Sequence, residues 1–404
     1  MSHLAPTDWS RPHLSEIGEV AIGLTYAPSQ VSTAGTLVLR SSNIQDGQLS
    51  LDDLVRVGAE IPEKIRVRPS DILICVRNGS RALIGKSLYL DERVEGETFG
   101  AFMSVFRSPY NPYLRFFFQS EDFKRQVDEH LGATINQITN RSLKGFAVSL
   151  PPRLEQEAIA LVLRHADGLI TSLGRLIAKK QAIRQGMMQQ LLTGKTRLPG
   201  FSVPWTSRRI GDLTRVAAGG TPSTSVDRYW GGHIPWMSSG ELHGKRIASV
   251  RGRITDDGLR ESSAQVMPAG TVLIGLAGQG KTRGTVAVSR LELTTNQSIA
   301  GVWPSPEHSS DFLYYNLDTR YEELRGESTG SGGRGGLNLT IIKNLAVFMP
   351  VLAEQVAIAD VLGDIDDDID RLSQQLAKAR MVTQGMMQEL LTGRTRLPVE
   401  GSAA

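Results

Sequence analysis

The amino-acid sequence predicts an α/β (α+β) protein built twice. Two mixed, strand-rich domains are each followed by a long helix, and the two helices are expected to pair as an antiparallel coiled coil with pseudo-twofold symmetry. Three observations predict this: a long internal repeat, a proline-free apolar periodicity inside it, and short β-type runs on either side.

The repeat is plainest where QGMMQQLLTGKTRLP, from Gln185 to Pro199, returns as QGMMQELLTGRTRLP, from Gln384 to Pro398. Without a gap it extends back to Pro151 and Pro350, pairing Glu155-Gln156 with Glu354-Gln355, and about half of the matched positions are identical. A period of about 200 residues is far too long for a solenoid or a propeller blade. It therefore marks two whole domains, each with the same connector. The expected boundaries are 1–150 and 200–349 for the domains, 151–199 and 350–399 for the connectors, and 400–404 for a tail.

Within the connectors, apolar or small residues recur at Val162, Ala166, Leu169, Leu173, Leu176, Ile183 and Met187, and at Leu362, Ile365, Ile369, Leu372, Leu376 and Ala379. Spacings of three and four are those of a coiled-coil seam. With no proline before Pro199 or Pro398, each connector reads as one helix of about 40 residues, roughly 60 Å long. Such a stripe must be buried, and the nearest equivalent surface is its own repeat. Lys180 interrupts the seam once, as a register-setting polar residue does.

Each domain opens alike, with Trp9 before LSEIGEV and Trp205 before IGDLTRV. Short β-type runs then follow turn residues: 35–39, 65–67, 71–76 and 82–90 in the first, 234–237, 247–253 and 271–276 in the second. PSDILI, from Pro69, aligns with PAGTVLI, from Pro268, and Thr98-Phe99-Gly100 is set against Thr295-Asn296-Gln297. Both domains end in short helices. Asn111 before Pro112 reads as a helix N-cap and not as the catalytic loop of an amino-methyltransferase, since NPYLRFFFQS lacks the second proline of that motif and its repeat partner lacks the motif altogether.

Composition removes several classes. A formal net charge of +3 places any nucleic-acid contact in local patches rather than on a basic chain overall. Cys75 is the single cysteine, which excludes an internal disulfide and a multi-thiolate zinc site; its setting in DILICV is that of a core thiol. No run approaches a membrane span, and Met1–Ser10 has no signal-peptide pattern, so a cytoplasmic protein is expected. The acidic run Asp364–Asp370 lacks the glycine and bidentate glutamate of a calcium loop, and His233 and His243 have no further ligand nearby; no metal site is expected.

GLAGQGKT, from Gly275 to Thr282, satisfies the pattern of a P-loop and follows a strand-like TVLI. A P-loop opens a helix whose N-terminus holds the phosphates, whereas Arg283–Val288 continues as strand. A P-loop nucleotide-binding enzyme built on Gly280, Lys281 and Thr282 therefore stands only as the alternative. What the two halves share here is a charged turn after a buried strand: Arg77, Asn78 and Arg81 in one, Gln279, Lys281 and Arg283 in the other. Arginine and amide side chains of that kind read base edges, and lysine neutralises phosphate. Ser238, Ser239, His243, Lys245 and Arg246 join the candidates. So do Asn136, Gln137, Asn140, Arg141, Arg334 and Asn338 in two glycine-containing loops, for which a plain surface role stays open. The Met187-Met188 and Met386-Met387 pairs also admit two readings, adaptable core filling or a docking surface for partners.

The order domain, EQ-starting long helix, domain, EQ-starting long helix resembles the DNA specificity subunit of type I restriction-modification systems. The resemblance covers essentially the whole chain, and its most specific parts are P-x3-EQ at Pro151–Gln156 and Pro350–Gln355 and the duplicated QGMMQ-LLTG-TRLP ends. It implies that each domain is a target-recognition domain for one half of a bipartite double-stranded DNA target. The helices then fix the unread gap and dock two modification (methyltransferase) subunits, to which up to two restriction (translocase and nuclease) subunits add, with Gln156, Met187, Met188, Gln355, Met386 and Met387 as partner contacts. The chain itself would be non-catalytic and hold no cofactor. S-adenosylmethionine, ATP and magnesium would belong to the partner subunits. The start at Met1 and the end after the second connector are expected of a free-standing subunit, and one helical turn inserted at Leu191–Gly194 is expected to alter the gap and leave the half-sites alone.

Overall fold

A computed structural model describes residues 6–45, 47–131, 136–278, 281–326 and 337–398. The chain forms two compact units: Met1–Gly174 with Gln374–Ala404, and Arg175–Ser373. Each long helix, Arg153–Leu191 and Leu352–Leu390, gives its first half to one unit and its second half to the other.

In the first unit the strand Ile72–Cys75 lies between Met103–Arg107 and Ser87–Tyr89, and Glu19–Ile22 completes an antiparallel sheet of four. ILIC is buried on both faces, which explains its unbroken apolar run. The alternation of a strand divides its side chains between two cores. Ile72 and Ile74 pack with Phe106, Tyr113, Leu114 and Phe116 under the helices, and Leu73 and Cys75 pack with Val105 of the neighbouring strand and with Val38 and Phe99 of a second sheet. Cys75 is fully buried, and that burial pushes its thiol up to about 11. The second unit repeats the plan: Val272–Gly275 lies between Ile299–Val302 and Val286–Ser289, with Val272 and Ile274 in one core and Leu273 in the other.

One residue is shifted from its expected role. The helix Asn111–Phe117 is capped at Tyr110, and the buried Asn111 amide instead donates to the carbonyls of Ser70 (2.8 Å) and Phe106 (2.9 Å).

Both long helices end at the first leucine of LLTG, Leu191 and Leu390, well before the prolines, and three residues on Gly194 and Gly393 each take φ +70. That left-handed turn is the common glycine termination of a helix. A Cβ there would lie 3.3 Å from Trp205 in one case and 2.5 Å from Pro6 in the other.

Within each unit the helix halves run antiparallel and are closed by the same pair of repeat residues. In the second unit Arg197 Nε and Nη2 donate to Glu354 Oε1 and Oε2, both at 2.6 Å, and Lys180 Nζ meets Asp368 Oδ2 at 2.7 Å. In the first unit Arg396 Nε and Nη2 donate to Glu155 Oε1 (2.6 Å) and Oε2 (2.8 Å), and the Trp9 indole donates to Oε2 as well (3.1 Å). Lys180, expected as a seam breaker, is thus an ion-pairing residue of the seam.

The stripe of the second helix lies inward as expected, at Leu362, Ile365, Ile369, Leu372, Leu376 and Ala379. The first helix follows expectation at Val162, Ala166, Leu173 and Met187 and departs from it at Leu169, Leu176 and Ile183, which are 55, 41 and 43% exposed. The inward heptad is Leu163, Ile170, Ile177, Arg184 and Leu191. Arg184 breaks the apolar pattern of this row because Asp366 faces it, and the sequence reading drifted one residue onto the neighbouring ridge.

Candidate nucleic-acid interface

In the first unit the loop after Ile72–Cys75 is tied down on three sides. Val76 and Arg77 both donate their backbone N–H to the Phe102 carbonyl (3.0 and 3.1 Å), and Ile138 donates to the Val76 carbonyl (2.8 Å). The Asn136 amide donates to the Gly79 carbonyl (3.1 Å), and the Asn78 amide donates to Ser41 Oγ (3.1 Å). Arg77 pairs across the backbone with Gln137. Arg77, Asn78, Asn136 and Gln137, chosen from two distant loops, therefore share one surface. Asn140 adjoins it through Ser104 Oγ (3.4 Å). Arg81 is exposed on the same loop with Asp128 at 3.6 Å, an exposed pair that constrains it little, and Arg141 is exposed on the short helix Asn140–Lys144. Two members were missed: Ser41, and Phe102, which is 56% exposed beneath the Arg77 guanidinium at 5.1 Å.

The second unit places its loop at the same strand end. Leu276 N–H donates to the Ser298 carbonyl (2.8 Å), as Val76 does to Phe102, and Gly275 pairs with Ile299 as Cys75 does with Met103. Ala277 and Ser298 thus stand where the first unit has Arg77 and Phe102. The same hydrogen bonds correct one alignment: Gly100 and Asn296 donate to Leu39 and Met237 respectively, so Thr98-Phe99-Gly100 matches Thr294-Thr295-Asn296, one residue earlier than the sequence reading set it.

GLAGQGKT is the turn of an antiparallel hairpin between Val272–Gly275 and Val286–Ser289. No helix opens at its end, so the backbone N–H groups of a phosphate-binding helix N-terminus are missing from the described residues. Lys281 is exposed, and its carbonyl accepts from Thr285 Oγ (2.5 Å) and the Tyr321 hydroxyl (3.3 Å). Arg283 is half-buried. Asn338 is exposed and caps the helix Leu339–Asn344 by accepting from Ile341 N–H (3.0 Å). Ser238 and Ser239 enter the short helix Ser239–Gly244, with Glu241 accepting from Ser238 N–H (3.1 Å), and His243 is exposed on it. Gln279, Gly280 and Arg334 lie outside the described residues.

Lys245 and Arg246 do not join this surface. Lys245 Nζ lies 2.5 Å from Asp318 Oδ1. Arg246 donates to Asp367 Oδ1 (2.7 Å), to Asp366 Oδ2 (3.3 Å) and to the Tyr315 hydroxyl, which itself donates to Asp366 (2.8 Å). Burial works against the charge of Arg246, but Tyr315 and Asp366 outweigh it and hold its pKa above the usual value. Three carboxylates hold the two cations: Asp318, at the end of the short helix Ser310–Asp318, holds Lys245, and Asp366 and Asp367 of the acidic run hold Arg246, so Arg246 anchors the domain to its own helix half.

The expected partner contacts turn inward as well. Gln156 and Gln355 are buried, and their amides donate to the carbonyls of Pro151 (2.7 Å) and Pro350 (2.9 Å), fixing the junction between strand and helix. Met188 is 6% exposed beside Leu191, Leu192 and Trp205, with Met187 packed against the same core; Met386 and Met387 pack against the core of the first unit. Of the two readings open for these pairs, the packing carries core filling.

Among the described residues no cluster of potential metal ligands occurs, and no helix is long and apolar enough to cross a membrane. The family model for the type I restriction modification DNA specificity domain matches twice, at residues 6–180 and 202–379. This chain belongs to that family. Among similar proteins are the StySPI specificity subunit of Salmonella potsdam and the MjaIX specificity subunit of Methanocaldococcus jannaschii. The first is 25% identical over 96% of this chain and 88% of its own length. The second is 33% identical over 42% of this chain and 40% of its own length. The type I restriction-modification S subunit from M. genitalium shares the fold, with a TM-score of 0.64, 13% identity and 97% of each chain covered.

Proposed function

We propose that this type I specificity chain recognises a bipartite double-stranded DNA sequence, one half-site per unit, and docks modification and restriction subunits without catalysing a reaction itself. The observation that carries the reading is a contrast within the repeat. The two units keep the same sheet register and the same Arg–Glu closure, yet hold different side chains at matching loop positions, Arg77 against Ala277 and Phe102 against Ser298. A frame built twice with two different loop surfaces suits two different half-sites. Exposed apolar side chains along the long helices, such as Leu169 in the first unit and Leu176 and Ile183 in the second, offer partner surface that the inward-facing methionines do not. S-adenosylmethionine would then sit on the modification subunits, and ATP and magnesium on the restriction subunits, all in the cytoplasm.

The test is to co-express the chain with a cognate methyltransferase subunit and sequence the methylated DNA. A two-part motif with a fixed gap, one half of which changes when residues 1–150 are exchanged for another such domain, supports the proposal; a continuous motif indifferent to the exchange defeats it. The ruler test needs a new position, because Leu191, Leu192 and Gly194 lie in the core around Trp205. An inserted turn belongs at the unit boundaries, after Gly174 and after Ser373 together, and should change the gap while both half-sites persist.

A further inference from the structure

We propose that Arg77 and Phe102 form a single reading device in the first unit, which recognises a guanine and a neighbouring thymine from the major groove. The inference rests on the DNA-recognition reading above and names the contact it requires.

Four observations meet at this pair. Phe102 is a large aromatic side chain left 56% exposed directly before a strand whose first residues are wholly buried, so packing does not account for it. Arg77 is exposed and lies over that ring at 5.1 Å, and among the described residues its guanidinium has neither a carboxylate nor any hydrogen-bond acceptor. The backbone beneath the pair is held by two hydrogen bonds to the Phe102 carbonyl and by the bridge to Gln137, so both side chains project from a fixed base. The surrounding surface supplies amides and hydroxyls from Asn78, Asn136 and Ser41.

The chemistry selects the ligand. A guanidinium resting on an aromatic face keeps its donors for another acceptor pair, and guanine O6 and N7 are the matching pair on a base edge. Phenylalanine can offer only apolar contact, and thymine carries the one methyl group on that edge. Both features occur in the major groove, on adjacent bases, within reach of two touching side chains. The second unit has Ala277 and Ser298 at these places and lacks the device, so the feature belongs to one half-site alone.

The experiment uses the full chain in complex with its methyltransferase subunit, and reads methylation across a library randomised at every position of both half-sites. Arg77→Ala should relax one guanine and Phe102→Ala the adjacent thymine, each lowering cognate preference roughly tenfold or more, the scale of one good base contact. The other half-site and the gap should be unchanged, and Phe102→Leu should keep most of the thymine preference. Melting temperatures of the variants should match the parent, since both side chains are exposed; Arg77→Gln is the second variant should the alanine fail to fold. Variants that fold and methylate with unaltered preference at every position would overturn the proposal. A parent complex without a two-part motif would instead remove the DNA-recognition reading beneath it.

Discussion

Arg396 grips both carboxylate oxygens of Glu155, a residue 241 positions earlier in the chain. The grip is repeated by Arg197 on Glu354 in the other unit, so an arginine at the end of each connector closes on a glutamate at the start of the other. Both glutamate side chains are almost fully buried, at 2% and 0% exposure, and a buried carboxylate without its cation is strongly destabilising. Arg197→Ala or Arg396→Ala should lower the melting temperature of its unit by roughly 5 °C or more, and Lys should rescue only in part because it lacks the planar fork. Calorimetry that finds no shift would remove the closure from the account of stability.

The glycine after each long helix makes a second, independent test. Gly194→Ala and Gly393→Ala should each cost about 1–2 kcal/mol for the left-handed backbone alone. Gly393→Ala should cost more, because its Cβ would meet Pro6 at 2.5 Å while that of Gly194 meets Trp205 at 3.3 Å. Equal denaturant midpoints for the two variants would contradict the packing described.

His308 gives the second unit a pH dependence. Its ring is 3% exposed, Nδ1 lies 3.0 Å from Ser305 Oγ, and burial alone lowers its pKa below the ordinary 6.5. The unfolded chain then binds the proton more readily than the folded one, so stability is full above the unfolded pKa and declines as pH falls below it. Thermal unfolding followed from pH 8 to pH 5.5, on the order of the titration range, should show this loss, and His308→Gln should flatten the histidine part of the slope. A slope identical in parent and variant would count against a neutral, buried ring.

Arg246 separates anchoring from reading. With its side chain 25% exposed and bound to Asp366, Asp367 and Tyr315, Arg246→Ala should cost about 1–2 kcal/mol, reduced from a fully buried pair by solvent screening. The methylated motif should stay the same. A change in the second half-site at unaltered stability would return Arg246 to the DNA surface.

These contacts also explain what could be read from the sequence. The duplicated connectors and the buried strands DILICV and TVLI follow from local patterns of spacing and burial and stand as expected, while the strand expected from Arg283 onward begins only at Val286. The carboxylate partners of Arg246 lie about 120 residues away, where no local pattern records them. Gln156 and Gln355 carried a repeat signature for an internal reason, the junction bonds to Pro151 and Pro350. Leu169 was assigned inward because a helix offers two adjacent apolar ridges and the sequence does not say which one the partner covers. Phe102 was overlooked because a lone phenylalanine beside a buried strand ordinarily reads as core; only its exposure beneath Arg77 distinguishes it.

The division of the two long helices has a consequence for biosynthesis. All of the second unit is encoded in one continuous span, Arg175–Ser373, including both partners of the Arg197–Glu354 grip. The first unit needs Gln374 onward, because Leu390, Leu391 and Arg396 belong to its core and its closure. A ribosome therefore finishes the later domain first, and the domain whose strands emerge earliest must wait, incomplete, until the last stretch of chain arrives. Nonsense changes shortly before Leu390 should accordingly spare the second unit and expose the apolar interior of the first.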